Sequence, residues 1–436
     1  MNGLDGLVGP AFPLYSDPFG FTWNLQQGAR RWRDALGRVR DAFPLGSATQ
    51  YGADVVVIGD STGTYGNIYE SWPHLLKVML QERFNRSGIQ GGFGLMPFET
   101  QNSTANDWTF VNGSGTWDKA HNNVTRMGTG LFEAKINPPS ANNKIWRYFD
   151  PTTAYGAFQR QGVTDWQYVG LSYSGVANSI YCDSATTNGA LAPATVVAGG
   201  GGSTWGFHWT AQSGLTITQH YTLQIATKAT TDQAWANGVI LYGGDFNEGV
   251  RLHNLSSVGS ASDAWWNSND TAAQLPANIG NFCAGGNGGA VNCKLLLINT
   301  MLNDCGISSQ NLPVATYRSN LQGVISYALS QTTLPCVGLI VNPPWDLGVS
   351  NATQVGAYAG YRDAAYQLAA SNDNVFVIDF WRVLTDATHP QYGPHGGNVG
   401  GGAMHDRGWY NDGIHGNGPC NAARARMLFA ALSYGA

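Results

Sequence analysis

A serine attacks an ester carbonyl when a histidine takes its proton and a carboxylate orients that histidine. Two short stretches of the 436-residue chain hold these residue types. Gly59-Asp60-Ser61 follows the apolar run Asp54-Val-Val-Val-Ile58, which reads as a short buried strand. A serine on a tight, glycine-containing turn at the carboxyl end of such a strand presents its hydroxyl where α/β sheets place their sites. Far along the chain, Asn411-Asp412-Gly-Ile-His415 sets a carboxylate three residues before a histidine. That spacing lets Asp412 turn back and hold the Nδ1 proton of His415, leaving Nε2 to accept a proton from Ser61. Alone, the first stretch is a strand-to-turn junction and the second a turn with an exposed His. Their pairing at opposite ends of an α/β pattern gives them meaning.

Two further stretches suit the charge that develops during such an attack. Leu302-Asn303-Asp304 lies just after the apolar run Leu295–Asn299. An Asn there can aim its side-chain NH₂ at an oxyanion while the neighbouring Asp stabilises the turn. In His253-Asn-Leu-Ser-Ser-Val-Gly-Ser260, the missing side chain of Gly259 would let a backbone N–H approach the same point.

The elements that must position these residues show in the hydrophobic periodicity. Trp32, Leu36, Val39 and Phe43 fall at helical spacing, as do Trp72, Leu75, Leu76, Met79, Leu80 and Phe84, with Pro73 acceptable in a first turn. From Gly249 onward, strands are expected over Val250–Leu255, Leu295–Asn299, Val337–Val341 and Val375–Asp379, and helices over Thr316–Leu329, Thr353–Ala370 and Asn421–Ser433. Strands alternating with helices imply a parallel sheet covered on both faces. Between Gly94 and Asn247 the helical period fades. Runs such as Trp166–Ser172, Ser203–Thr210 and Leu215–Ile225 are rich in β-formers and separated by Gly and Asn clusters. The expected architecture is one α/β domain, residues 29–95 and 248–436, interrupted by a β-sandwich of jelly-roll type over 96–247, with 1–28 as an N-terminal extension.

Composition narrows the function classes. Charged residues make up 12% and the net charge is −5, with no basic block, which argues against nucleic-acid or anionic-membrane binding. No run of about 18 apolar residues suggests a transmembrane helix. The 15 Trp, 19 Tyr and 17 Phe do not belong to a solvated, disordered chain. A weakly charged, Gly-, Asn- and Thr-heavy chain is common among extracellular carbohydrate-active and phage virion proteins. Residues 1–26 lack the basic and apolar regions of a signal peptide, so either a leader was removed or the protein leaves its cell another way. None of the six cysteines forms a C-x-x-C pair; Cys283 and Cys293 flank a Gly/Asn-rich loop and could close a small disulfide or stay reduced. Asn254-Leu-Ser256 is a glycosylation sequon, but a glycan there would crowd the loop of Gly259. His389, His395 and His405 lie in a Gly-rich stretch at spacings that fit no compact metal site.

Gly59-Asp60-Ser61, Gly259, Asn303 and Asp412-x-x-His415, in that order, resemble the four blocks of the SGNH (GDSL-type) hydrolase superfamily, phage-tail and actinobacterial members with an inserted β domain above all. The resemblance covers the α/β part of the chain. It implies Ser61 as nucleophile, His415 as general base and acid, and Asp412 as the orienting carboxylate. The oxyanion hole would comprise the N–H groups of Ser61 and Gly259 and the side-chain amide of Asn303, with no metal or organic cofactor. One position departs from the pattern: Met301 stands where the third block has Gly, which puts the shape of the pocket floor in question. Trp265, Trp266, Trp345, Trp409 and Tyr410 gather near the blocks, and aromatic faces at a cleft suit sugar rings. Asp60, Trp265, Trp345 and Trp409 are therefore candidate substrate contacts, and Trp205 and Trp209 give the inserted domain a carbohydrate-binding aspect. The expected activity is hydrolysis of acetyl or short acyl esters on a polysaccharide or cell-envelope glycan, by an extracellular or virion-borne protein, in a virion or as a homo-oligomer. A short-chain carboxylesterase or lipase, and a non-catalytic glycan-binding tail protein, are the alternatives.

Overall fold

The computed structural model describes residues 19–42, 51–63, 70–85, 94–97, 249–256, 260–266, 291–305, 312–343, 352–385, 408–412 and 414–436, and the strands alone between 98 and 242. Its centre is a sheet of six strands: β1 (Thr22–Trp23), β2 (Gly52–Gly59), β14 (Gly249–Asn254), β15 (Cys293–Asn299), β16 (Cys336–Val341) and β17 (Val375–Asp379). Their spatial order is β1-β17-β16-β15-β2-β14. Strands β2 and β14 to β17 run parallel, whereas the short edge strand β1 lies antiparallel on β17. The sheet is therefore mixed, not purely parallel as expected. The helices are α1 (Leu25–Gly28), α2 (Arg30–Ala42), α3 (Trp72–Phe84), α4 (Ser262–Trp265), α5 (Val314–Leu329), α6 (Ala352–Ala370), α7 (Phe380–Thr385) and α8 (Gly418–Ser433).

Side chains alternate across a strand, so a strand covered on both faces must be apolar at every position. Strand β2 meets this rule from Val55 to Ile58: Val55 and Val57 join the core beneath α2, α3 and α8, while Val56 and Ile58 join the core beneath α5 and α6. Leu295 and Leu297 of β15 divide from Leu296 and Ile298 in the same way. Burying each such side chain stabilises the fold by roughly 1.5–3 kcal/mol. On α3, Trp72, Leu76, Leu80 and Phe84 recur every four residues and are all buried. No helix among the described residues is long and apolar enough to cross a membrane.

Chain order explains where a site can form. From β2 the chain reaches β14 at one edge, then crosses back to β15 on the other side of β2. The connections leaving β2 and β15 thus part at a topological switch point, where open α/β sheets hold ligands outside the carboxyl ends of their strands. Ser61 stands at that point.

The intervening segment contributes β3 (Gly94–Pro97), β4 (Thr109–Val111), β5 (Trp117–Asp118), β6 (Ala134–Ile136), β7 (Lys144–Phe149), β8 (Asp165–Tyr173), β9 (Ile180–Ala185), β10 (Val196–Ala198), β11 (Trp205–Thr210), β12 (Tyr221–Thr227) and β13 (Gln233–Tyr242). They pair antiparallel in two sheets, β10-β9-β12-β7-β4 and β11-β8-β13-β6-β5, with β3 on β13. Their side chains, those of Trp205 and Trp209 included, lie outside the described residues, as does the packing that would make the pair a sandwich.

One buried ionic cluster sits at the amino ends of the central strands. The Asp54 carboxylate accepts from Arg251 Nε at 2.6 Å and Nη2 at 2.7 Å, from the Asn292 N–H at 2.5 Å, and lies 3.0 Å from His253 Nε2. Asp54 and His253 have no exposed surface and Arg251 has 1%. Burial alone would raise the Asp54 pKa, but the adjoining Arg251 guanidinium and His253 outweigh it and hold the carboxyl well below its usual range.

Candidate active site

Strand β2 ends at Gly59, and Ser61–Gly63 form a 3₁₀ turn directly after it. The sharp exit depends on close backbone approach. The Asp60 N–H donates to the Asn299 carbonyl of β15 at 3.0 Å, and a Cβ at Gly59 would lie 2.2 Å from that same oxygen. Gly59→Ala must therefore push β2 off β15. It is expected to lower stability by about 1–3 kcal/mol and to displace Ser61; an unchanged melting temperature with unchanged activity would refute this account.

His415 reaches Ser61 from a tight loop before α8. Tyr410 and Gly416 form an isolated bridge, the Asn411 N–H donates to the His415 carbonyl at 2.8 Å, and the Asn417 N–H donates to the Trp409 carbonyl at 2.8 Å. Asn417 then caps α8 by accepting from the Cys420 N–H at 3.2 Å. Within this frame the Asp412 Oδ1 accepts the N–H groups of Ile414 and His415 at 3.1 and 2.9 Å, which turns Oδ2 toward His415 Nδ1 at 2.8 Å. His415 Nε2 stands 2.8 Å from Ser61 Oγ. With the ring proton on Nδ1 and donated to Asp412, Nε2 accepts from the serine hydroxyl. The three residues, 354 positions apart at the widest, thus form one hydrogen-bonded line.

The electrostatics suit proton transfer. Ser61 and His415 are each 8% exposed. Burial lowers the His415 pKa below its ordinary 6.5, against the opposing pull of Asp412 and with the positive charge of Arg424 adding to it. Asp412 is lowered to about 2: burial pushes it up, but the hydrogen bonds from His415 and Ile414 win. A base must be neutral to accept a proton, so a reaction that uses His415 as its base would be retained above the His415 pKa and lost as pH falls through it. The acid limb of kcat/KM is expected to have its midpoint below 6.5, the ordinary histidine value. A limb centred above that value would contradict this.

Asn303 is 6% exposed and donates Nδ2 to the Ser260 carbonyl at 2.9 Å, tying the turn after β15 to the loop after β14. Asp304 stabilises its turn, as its position suggested. Its carboxylate accepts from the Met301 N–H at 3.2 Å, from the Ser262 N–H at 3.0 Å and from the Ser262 hydroxyl at 2.5 Å. Met301 has φ 114°, a left-handed conformation that favours glycine and costs a Met roughly 1–3 kcal/mol. The Met301 side chain is fully buried in the core beneath α5 and α6, so it fills that core and not a pocket floor.

Two expected substrate contacts are corrected. Asp60 has no exposed surface and spends Oδ1 on the Thr62 N–H and hydroxyl at 2.9 and 2.6 Å; it anchors the turn and cannot touch substrate. Burial pushes its carboxyl up to about 6. Trp265 is 1% exposed in the core beneath α5, and Trp266 packs on α5 against Gly323 and Tyr327. Trp409 and Tyr410 are half-buried against the core beneath α8. Gly259, Trp345, Cys283, His389, His395 and His405 lie outside the described residues.

Sequence reading missed Asn299 and Asn342, whose only signal is their place at the carboxyl ends of β15 and β16. It also missed Arg424, 1% exposed on the inner face of α8. Its guanidinium lies over the Phe380 ring at 5.8 Å, and its Nε and Nη1 have no hydrogen-bond partner among the described residues.

No protein-family model and no curated protein sequence matches the chain. Solved structures do. A peptidoglycan O-acetylesterase matches over 94% of this chain and 98% of its own, with a TM-score of 0.60 at 13% identity. A family two carbohydrate esterase from Clostridium thermocellum matches over 77% and 97%, at 12% identity and a TM-score of 0.29. A lipase/acylhydrolase from Enterococcus faecalis matches over 43% and 77%, at 18% identity and a TM-score of 0.30. Only the first superposes closely enough to define a common architecture. The central sheet, its flanking helices and that superposition together identify an SGNH-hydrolase-like fold.

Proposed function

We propose that this protein is a serine esterase that removes acetyl or other short acyl groups from a polysaccharide or cell-envelope glycan. The observation that carries the reading is the line from Ser61 Oγ through His415 to Asp412, 2.8 Å at each link. In this mechanism His415 Nε2 takes the hydroxyl proton as Ser61 Oγ attacks the ester carbonyl. The oxyanion is met by the N–H groups of Ser61 and Gly259 and by the Asn303 amide. His415 returns the proton to the departing sugar hydroxyl, and water, activated in the same way, releases the acyl group and frees Ser61. Asp412 holds the imidazole in the right tautomer and balances its charge when protonated.

The glycan half of the reading draws on the fold shared with a peptidoglycan O-acetylesterase and on a sequence without a broad aliphatic lid for long acyl chains. It puts the protein where such glycans are, outside the cell or on a virion. The test compares p-nitrophenyl acetate with p-nitrophenyl octanoate, then measures acetate release from acetylated peptidoglycan and acetylated xylan, for the native protein and Ser61→Ala. Preference for acetate, acetate release from a glycan, and loss of both in the variant are expected. Preference for octanoate would replace the glycan by a lipid ester. A folded protein that hydrolyses neither ester and is not labelled by a serine-reactive phosphonate would overturn the catalytic reading in favour of glycan binding alone.

A further inference from the structure

Acyl transfer uses Ser61, His415 and Asp412, yet four other buried polar side chains converge on the turn that carries the serine. Asp60 precedes Ser61, Thr62 follows it, Asn299 ends β15 and Asn342 follows β16; none is more than 5% exposed. Their donor and acceptor roles can be assigned from chemistry. The Thr62 hydroxyl lies 2.6 Å from Asp60 Oδ1, an acceptor when the carboxyl is ionised, and so gives that atom its one hydrogen. Toward the two amides Thr62 Oγ must then accept: Asn299 Nδ2 donates to it at 2.9 Å, and Asn342 Nδ2 lies at 3.5 Å. With its amide so oriented, Asn299 turns Oδ1 away, and that atom accepts from Asn342 Nδ2 at 2.7 Å. The result is one directed chain, Asn342 to Asn299 to Thr62 to Asp60. Its two ends, Asn342 Oδ1 and Asp60 Oδ2, are the atoms left without partners among the described residues.

The same turn is gripped elsewhere. The Asp60 N–H is held by the Asn299 carbonyl at 3.0 Å and the Gly63 carbonyl by Asn254 Nδ2 at 2.9 Å. A Cβ at Gly63 would lie 2.5 Å from Ser256 Oγ, so the turn has no room to relax in that direction. Hydrogen bonds of this kind add little net stability over apolar packing of the same shape. What a directed, buried chain adds is a single geometry, since each member is oriented by the next.

We propose that Thr62, oriented by Asn299 and Asn342, is a positioning residue: it fixes the turn so that the Ser61 hydroxyl meets His415, and the Ser61 N–H meets the oxyanion, before substrate arrives. The inference rests on the esterase reading. It is tested by Thr62→Val, which keeps the shape and removes the hydroxyl, beside Thr62→Ser, which keeps the hydroxyl. Misplacement of reacting groups by a fraction of an ångström to an ångström lowers rates by up to about 100-fold, so kcat of Thr62→Val should fall by roughly 10- to 100-fold. KM and the midpoint of the acid limb should hold, because neither substrate contacts nor His415 are touched. Labelling by a serine-reactive phosphonate should slow by the same factor as kcat, and Thr62→Ser should recover most of both. Native kcat in Thr62→Val, or equal impairment of both variants, would overturn the proposal. Should Thr62→Val not fold, Asn342→Leu removes the end of the chain opposite the Asp60 carboxylate and carries the same test, with an unchanged kcat as the overturning result. A native protein that neither hydrolyses esters nor is labelled refutes the esterase reading itself; an active native protein with an unimpaired Thr62→Val refutes only the positioning role.

Discussion

Ser61→Ala is expected to lower kcat for ester hydrolysis by about 10⁴- to 10⁶-fold, the range seen when a nucleophile that works as one unit with its base is removed. The size follows from the geometry. Ser61 Oγ lies 2.8 Å from His415 Nε2 and Asp412 Oδ2 2.8 Å from Nδ1, so the serine oxygen is placed to give its proton to the histidine, and Ala leaves nothing at that position to attack. His415→Ala should cost about as much, and the double variant little more than either, since each removes the same proton-transfer step. Asp412→Asn keeps the loop but offers an N–H toward Nδ1, favouring the wrong tautomer, and a loss of up to about 10⁴-fold is expected. Asp412 is the most solvent-exposed of the three, with 38% of its side chain accessible, so its loss should be the smallest. The measurement is kcat and KM on p-nitrophenyl acetate for the single and double variants. Losses that simply multiply in the double variant would mean that Ser61 and His415 do not act together, and the mechanism would fall.

The elements legible in the sequence are those whose reason is local. Strand β2 and helix α3 were readable because Val55 to Ile58 and the Trp72, Leu76, Leu80, Phe84 repeat carry the period of a two-faced strand and of a one-faced helix. Strand β17 matches its expected limits, and β14 to β16 and helices α5, α6 and α8 differ from theirs by one to three residues at an end. The meeting of Ser61 with His415 was inferable because Asp412-x-x-His415 is a short-range arrangement and Gly59-Asp60-Ser61 follows a recognisable strand. The edge strand β1 was not legible, for two residues carry no period. Nor were Asn299 and Asn342: a single Asn at a strand end has many uses, and its partner Thr62 is 237 residues from Asn299. Trp265 was misassigned for a related reason. Nothing in a lone Trp says whether its ring faces a cleft or a core, and here the helix of four residues that carries it turns it inward. Met301 shows the converse: the pattern flagged the missing Gly, but only the backbone shows that Met301 itself takes a left-handed shape.

Asp54→Ala is expected to destabilise the protein by about 3–5 kcal/mol, the cost of stranding a buried guanidinium. Arg251 is 1% exposed and donates Nε and Nη2 to the two oxygens of Asp54, which also receive the Asn292 N–H and lie beside His253. Removing the carboxylate takes these two hydrogen bonds from a charge that is buried from solvent. Because breaking a buried pair and owning one are different quantities, Asp54→Leu combined with Arg251→Met should be much less harmful than Asp54→Ala alone. The pH dependence carries a second signature. The folded-state pKa of Asp54 lies below its unfolded value of 3.8, so its contribution is fully present above that value and is lost as pH falls beneath it. Native stability should therefore fall more steeply below pH 3.8 than that of Asp54→Ala, and the two curves should converge in acid. Asp54 lies seven residues before Ser61, about 23 Å along an extended strand, so the folded variant should keep its activity. Urea unfolding of the native, single and double variants from neutral to acid pH tests all of this. An Asp54→Ala protein as stable as the native one at neutral pH would show that the cluster does not hold β14 to β2.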